Sequence, residues 1–69
     1  MKISARNILK GRVIKIVEGA VNCEITLKVA PGVEVVSIIT KTSVQSLGLA
    51  EGKDAFAVIK ASSVMIAIE

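Results

Sequence analysis

The sequence contains no histidine, tyrosine or tryptophan, and Cys23 is its only cysteine. Without a second thiol or an imidazole, the chain can form neither an internal disulfide nor a zinc site with the usual ligands. Histidine is also the side chain best suited to move protons near neutral pH. Among the acids, only Glu51 and Asp54 lie close together, in a predicted turn where carboxylates stay solvated. We therefore expect that the protein is not an enzyme and that no metal ion binds directly to its side chains.

Glycine-rich phosphate loops and aromatic platforms are missing too. Gly48 and Gly52 belong to one predicted turn and lack the Lys-Ser/Thr pair that ends a phosphate-binding loop, so we expect no organic cofactor. Phe56 is the only aromatic residue, whereas single-stranded nucleic acids bind by stacking their bases on several aromatic rings. We expect no nucleic-acid partner. An OB-type nucleic-acid binder is the remaining alternative, which a salt-titrated oligonucleotide assay would test.

Long hydrophobic runs are absent as well. The uncharged stretches are shorter than the ~18 apolar residues that a membrane span requires, and the first residues lack the apolar segment of a signal peptide. A lone, unpaired cysteine fits a reducing compartment. We expect a cytoplasmic protein without a membrane partner.

Hydrophobic residues are nevertheless abundant, at 52% of the 69 residues. A chain of this length buries only roughly 60% of its unfolded surface, so a single copy cannot hide them all. Self-association is the remaining way to bury them, and we expect one domain over residues 1–69 that forms a homo-oligomer. The net charge of +3 suits an anionic ligand.

The first predicted strand, residues 8–18, is rich in β-branched residues and apolar on both faces. Strict alternation would place Val13 and Val17 on one face and Ile14 and Ile16 on the other. A strand that is apolar on both faces is usually covered on both. We expect another subunit to supply the second cover.

The rest of the chain predicts further short strands. Residues 21–29 alternate apolar and polar side chains, which places Cys23 in the core as a small apolar residue rather than a reactive thiol. A capping box at residues 42–45 predicts one or two helical turns that Gly48 ends. Further strands are predicted at 33–40, 54–60 and 64–68. Five strands with one short helix before the fourth predict a mainly β fold, an OB-like five-stranded antiparallel barrel.

Two segments are rich in hydrogen-bond donors. Residues 3–7 (Ile-Ser-Ala-Arg-Asn) supply a hydroxyl, a guanidinium and a carboxamide, and residues 60–63 (Lys-Ala-Ser-Ser) supply an ammonium and two hydroxyls. A fully ionised oxyanion requires donors and no acceptors. We expect the two segments to meet, within the fold or across a subunit contact, and to hold a small tetrahedral dianion. The alternative is a solvated strand in which Arg6 forms a surface ion pair.

An interface is the arrangement that we expect for this site. A cavity that excludes water would consume core that so short a chain cannot spare, whereas a subunit contact encloses an anion without that loss. Ser4 and Arg6 of one chain would then meet Lys60 of another.

The donor segments also belong to a wider pattern that covers essentially the whole chain. It consists of Ile-Ser-Ala-Arg-Asn at 3–7, Leu-Lys-Gly at 9–11, Leu-Gly-Leu at 47–49 with Glu-Gly-Lys at 51–53, and Val-Ile-Lys-Ala-Ser-Ser-Val-Met at 58–65. Together these segments resemble the molbindins, small cytoplasmic molybdate- and tungstate-binding proteins made of one Mop domain. The combination of motifs and chain length is specific, whereas no single segment is.

The resemblance implies an OB-like barrel assembled as a homohexamer, a trimer of dimers, with oxyanions bound between subunits. It implies binding and storage of molybdate or tungstate in support of intracellular molybdenum homeostasis. The alternative is a sensing module that reports the oxyanion to a partner, although the chain contains no helix-turn-helix. By resemblance, the oxyanion-binding residues are Ser4, Ala5 through its backbone, Arg6, Ser43, Lys60, Ala61 and Ser62.

The roles of two of these residues, Ala61 and Ser43, have alternatives. Related sensor domains often carry serine directly after the lysine, where this chain has Ala61, so Ser62 is the candidate replacement for that hydroxyl. Ser43 lies at the predicted start of the helix, where its hydroxyl and the neighbouring N–H groups suit an anion. Helix capping is the alternative role of Ser43.

Overall fold

The computed structural model describes residues 1–69 and contains one curled antiparallel sheet with a single α-helix. The strands are β1 (Asn7–Glu18), β2 (Asn22–Ala30), β3 (Val33–Thr40) and β4 (Asp54–Ile59), and helix α1 (Lys41–Leu47) lies between β3 and β4. The strand order is β3-β2-β1-β4, and each neighbouring pair is antiparallel. These elements confirm the first four predicted strands and the short helix. The single α-helix has seven residues and cannot span a lipid bilayer.

The fifth predicted strand is wrong for the single chain. After β4 the chain makes one 3₁₀ turn, Ala61–Ser63, and residues 64–68 then pair with no strand. Their large side chains are exposed, from 46% for Val64 to 94% for Ile68. The alternation of these residues suits a sheet, but pairing also requires a free edge within reach, which an alternation pattern does not reveal. The structure is therefore an open half-barrel whose edges are β3 and β4, not a closed five-stranded barrel.

A β-bulge in β1 corrects the predicted faces of that strand. The register against β2 shifts between Val13 and Lys15, so that Val13 and Ile16 both lie opposite core residues of β2. Strict alternation, which groups Val13 with Val17, is therefore wrong. One extra residue in the strand thus places Val13 and Ile16, which differ in parity, on the core side. Ile14 and Val17 remain 38% and 46% exposed, so β1 still carries apolar side chains outside the core.

The core of the chain lies on the concave face of the sheet and under α1. Cys23 is a free thiol with 1% exposure, which confirms its prediction as a core residue. Only 7 of 69 residues are buried, and many large hydrophobic side chains consequently remain on the surface. The buried hydrophobic residues are Val13, Cys23, Ile25, Leu27, Val44 and Ala57.

Candidate oxyanion-binding groove

The two donor-rich segments leave the sheet at the same end. β1 and β4 are antiparallel neighbours, and Asn7 at the start of β1 pairs with Ile59 at the end of β4. Residues that precede Asn7 and residues that follow Ile59 therefore extend from one terminal pair of the ladder. The register of β1 against β4 thus brings together segments that are more than fifty positions apart in sequence.

A groove of about 480 Å³ lies between these segments. It is lined by Ile3, Ser4, Ala5, Arg6, Val58, Lys60, Ala61 and Ser62. Six of the seven residues predicted from the sequence therefore share one groove within one chain. A contact between chains is not needed to bring Ser4 and Arg6 close to Lys60. Sequence reasoning did not identify Ile3 and Val58, which supply apolar walls and belong to otherwise ordinary β-type segments.

The polar chemistry of the groove consists of donors. Arg6 and Lys60 are its two cations, Ser4 and Ser62 are its hydroxyls, and no acidic residue lines it. The side-chain hydrogen bonds of the chain involve other residues. The structure also contains no cluster of three or more acidic, cysteine or histidine side chains that could hold a metal ion. An ionised oxyanion, which only accepts hydrogen bonds, is the ligand that such a lining suits.

The 3₁₀ turn adds backbone donors to the side chains. The N–H groups of Ser63 and Val64 donate to the carbonyl oxygens of Lys60 and Ala61, at 2.8 and 3.2 Å. The N–H groups of Ala61 and Ser62 precede those bonds and have no acceptor in the chain, as is usual at the start of a helical turn. Ala61 can therefore act through its backbone although its side chain has no polar atom.

One chain leaves this groove open to water. Its volume of about 480 Å³ is far more than a four-oxygen anion fills. Ser4, Arg6, Lys60 and Ser62 are all exposed. Charge-assisted hydrogen bonds are weak in contact with bulk water and strengthen when water is excluded. The single chain thus assembles the donors but does not enclose them.

Ser43 lies outside the groove, in the first turn of α1. The Thr40 hydroxyl accepts a hydrogen bond from the Ser43 N–H at 3.0 Å and donates one to the Ser43 hydroxyl at 2.8 Å. Thr40 is thus the N-cap, two residues before the Thr42 that the predicted capping box implied. Gly48, with φ of 63°, ends the helix as predicted. Within one chain, Ser43 takes part in capping.

Asn7 makes a contact that sequence reasoning missed. Its Nδ2 donates to the carbonyl oxygen of Ile59 at 3.2 Å, and the side chain is partly buried. No local pattern could reveal this bond, because the acceptor is 52 residues away and depends on the register of two strands.

A second groove lies between the two sheet edges and has a different character. It measures about 600 Å³, and 12 of its 14 lining residues are hydrophobic. Several of its large hydrophobic side chains are exposed, among them Met1, Leu47 and Phe56. This edge groove is the gap that a closed barrel would fill with a fifth strand.

Comparisons with known proteins agree with these features. The TOBE domain family matches residues 3–66. Molybdenum-pterin-binding protein 3 of Clostridium pasteurianum is 48% identical over 66 residues, which are 96% of this chain and 97% of that protein.

Solved structures give the same result. A molybdate-binding protein from Sporomusa ovata superposes with a TM-score of 0.91 at 38% identity, covering 99% of this chain and 100% of that one. The cytoplasmic molybdate-binding protein ModG, solved with molybdate bound, superposes with a TM-score of 0.90 at 52% identity. That match covers 94% of this chain and 46% of ModG. The chain therefore belongs to the TOBE-domain family and, within it, to the molbindins.

Proposed function

We propose that this protein binds and stores molybdate or tungstate in the groove between residues 3–6 and 60–62, and so supports intracellular molybdenum homeostasis. The observation that carries the proposal is the groove itself, which combines two cations and two hydroxyls with no acidic residue. Similar proteins are named for binding molybdate or a molybdenum pterin. The oxyanion is the only ligand in this proposal, which includes no catalysis and no organic cofactor. The protein acts in the cytoplasm, as ModG is described to do.

Each groove residue has a distinct role in this proposal. The planar guanidinium of Arg6 donates to two oxygens of one tetrahedral face, and the Lys60 ammonium adds a compact positive charge. Ser4 and Ser62 donate through their hydroxyls. The backbone N–H groups at Ala5 and Ala61 complete the set. A dianion that is permanently ionised at neutral pH needs no acceptor from the protein.

A second copy of the chain supplies the enclosure that one copy lacks. Residues 64–68 carry exposed apolar side chains, and the edge groove is apolar and lies between two free strand edges. Insertion of residues 64–68 of one copy between β3 and β4 of another would satisfy both edges and close the OB-like barrel. Ser43 joins the site from a neighbouring copy. The assembly is a homohexamer, a trimer of dimers, as the resemblance to molbindins implies.

Calorimetric titration of the purified protein with molybdate, tungstate and sulfate tests this function. Molybdate and tungstate should saturate defined sites, and sulfate at equal ionic strength should bind more weakly because its smaller radius leaves oxygens out of reach. Thermal unfolding should follow the same order, since molybdate at ~100 times its Kd adds about 2.7 kcal/mol per independent site. Equal binding of all three anions would contradict a site of defined size and indicate general anion attraction.

A further inference from the structure

Asn7 links the two donor segments at the end of the β1–β4 ladder, where both leave the sheet. It directly follows Arg6, and its carboxamide bonds to the carbonyl of Ile59, which directly precedes Lys60. The bond spans the terminal pair of the β1–β4 ladder. Terminal pairs of a ladder fray most readily because no further rung holds them. The bond thus lies where it can fix the distance between Arg6 and Lys60.

The chemistry of the acceptor fixes the orientation of the carboxamide. A backbone carbonyl can only accept, so the atom that faces Ile59 must be the amide nitrogen Nδ2 rather than Oδ1. Asn7 is also only partly exposed, unlike the groove residues Ser4, Arg6, Lys60 and Ser62, which are all exposed. Asn7 is not among the residues that line the groove. Asn7 therefore links the two segments next to the groove and is not positioned to contact a ligand within it.

We propose that Asn7 is a positioning residue, which holds the Arg6 segment against the Lys60 segment before the oxyanion arrives. This inference rests on the proposed oxyanion site. Exposed cations on flexible side chains lose conformational entropy when they close on a ligand, and a site that is already arranged loses less. Without the hydrogen bond from Asn7 to Ile59, the two segments separate more freely in the empty protein. The anion must then supply the ordering that the hydrogen bond otherwise provides.

The predicted effect of N7A is a molybdate Kd raised by a factor of roughly two to twelve. This factor corresponds to the ~0.5–1.5 kcal/mol net contribution of one hydrogen bond. Tungstate binding should weaken by the same factor, because the loss lies in the arrangement of the site and not in a contact with the anion. N7Q, which keeps the donor on a longer arm, should recover part of the affinity.

I25V is the matched control. Ile25 is buried in the core at 3% exposure and lines neither groove. Its loss of one methyl group lowers stability about as much as the loss of one hydrogen bond does. I25V should therefore lower the denaturation midpoint about as much as N7A while leaving the molybdate Kd unchanged. Amide hydrogen exchange at Ser63 and Val64, whose N–H groups are hydrogen-bonded in the 3₁₀ turn, should accelerate in the empty N7A protein and not in I25V.

The outcomes separate this inference from the function on which it rests. If the wild type does not bind molybdate in calorimetry, the proposed function fails. If the wild type binds and N7A binds with the same Kd, the positioning role is wrong although the function stands. A Kd raised equally in I25V and N7A would also overturn the role, because affinity would then follow general stability. A crystal structure of the molybdate complex with Asn7 bonded to the anion would make Asn7 a ligand instead.

Discussion

Arg6 and Lys60 are the two positive charges of the groove, and no carboxylate lies there to neutralise them. A dianion that binds in this groove is attracted by both positive charges, whereas a neutral ligand is not, so the groove favours a dianion. The donors of this groove could be identified from the sequence for a simple reason. They form two short contiguous segments, and residue types alone reveal a surplus of donors. The partner of Asn7 could not be found, because it follows only from strand register.

Removal of either cation leaves a dianion under-compensated. R6A and K60A should each cost on the order of 2–5 kcal/mol of molybdate binding, a loss that calorimetry measures directly. The fold should persist, since both side chains are exposed. K15A is the matched control, because it removes one exposed cation outside the groove and lowers the net charge equally. A similar loss in K15A would mean that net charge, rather than the groove, attracts the anion.

At the scale of elements, the strands and the helix follow from local patterns, while two features do not. The alternation of residues 21–29 and the turn residues around it predict β2 within about one residue. Strict alternation of apolar and polar residues cannot predict the bulge at Val13–Lys15, because residues outside the strand form hydrogen bonds with it. The Val13 N–H donates to the Lys53 carbonyl at 2.9 Å, and the Gly52 N–H donates to the Val13 carbonyl at 2.8 Å. A loop distant in sequence thus bonds to β1 at the residue where the bulge begins.

The C-terminal segment is the second feature. Its pattern is that of a strand, but the chain provides no partner for it, and in the proposed assembly that partner is a second copy. I66D places a charge at 87% exposed Ile66, where burial in another copy's edge groove would be unfavourable. We expect I66D to dissociate the oligomer in sedimentation velocity. A30D, which adds the same charge at the exposed end of β2, outside both grooves and at the opposite end of β3 from Ser43, should sediment as the wild type does. An unchanged oligomer in I66D would exclude residues 64–68 from the contact.

At the scale of the whole molecule, self-association would both bury more hydrophobic surface and reduce the exposure of the groove. Seven buried residues cannot account for a chain that is 52% hydrophobic, and this hydrophobic excess by itself predicts self-association. Composition could not indicate which surfaces meet. The structure narrows the choice, because the apolar C-terminal segment matches the edge groove, where 12 of 14 lining residues are hydrophobic, better than the donor groove, where 4 of 8 are. In the proposed assembly, the C-terminal segment of one copy therefore closes the barrel of another.

The placement of both cations in one chain makes a prediction about mixed oligomers. If Arg6 and Lys60 of one chain form one groove, every R6A chain lacks one cation and every K60A chain lacks the other. R6A and K60A chains, unfolded and refolded together, should then co-assemble without regaining tight molybdate binding. Wild-type chains mixed with R6A chains should retain binding in proportion to the wild-type fraction, which shows that mixing itself does no damage. Mass spectrometry should first show that the oligomers contain both kinds of chain. Calorimetry then measures molybdate binding by each of the two mixtures. Recovery of tight sites in the R6A–K60A mixture would mean that Arg6 of one chain works with Lys60 of another, the arrangement that the short chain length favours.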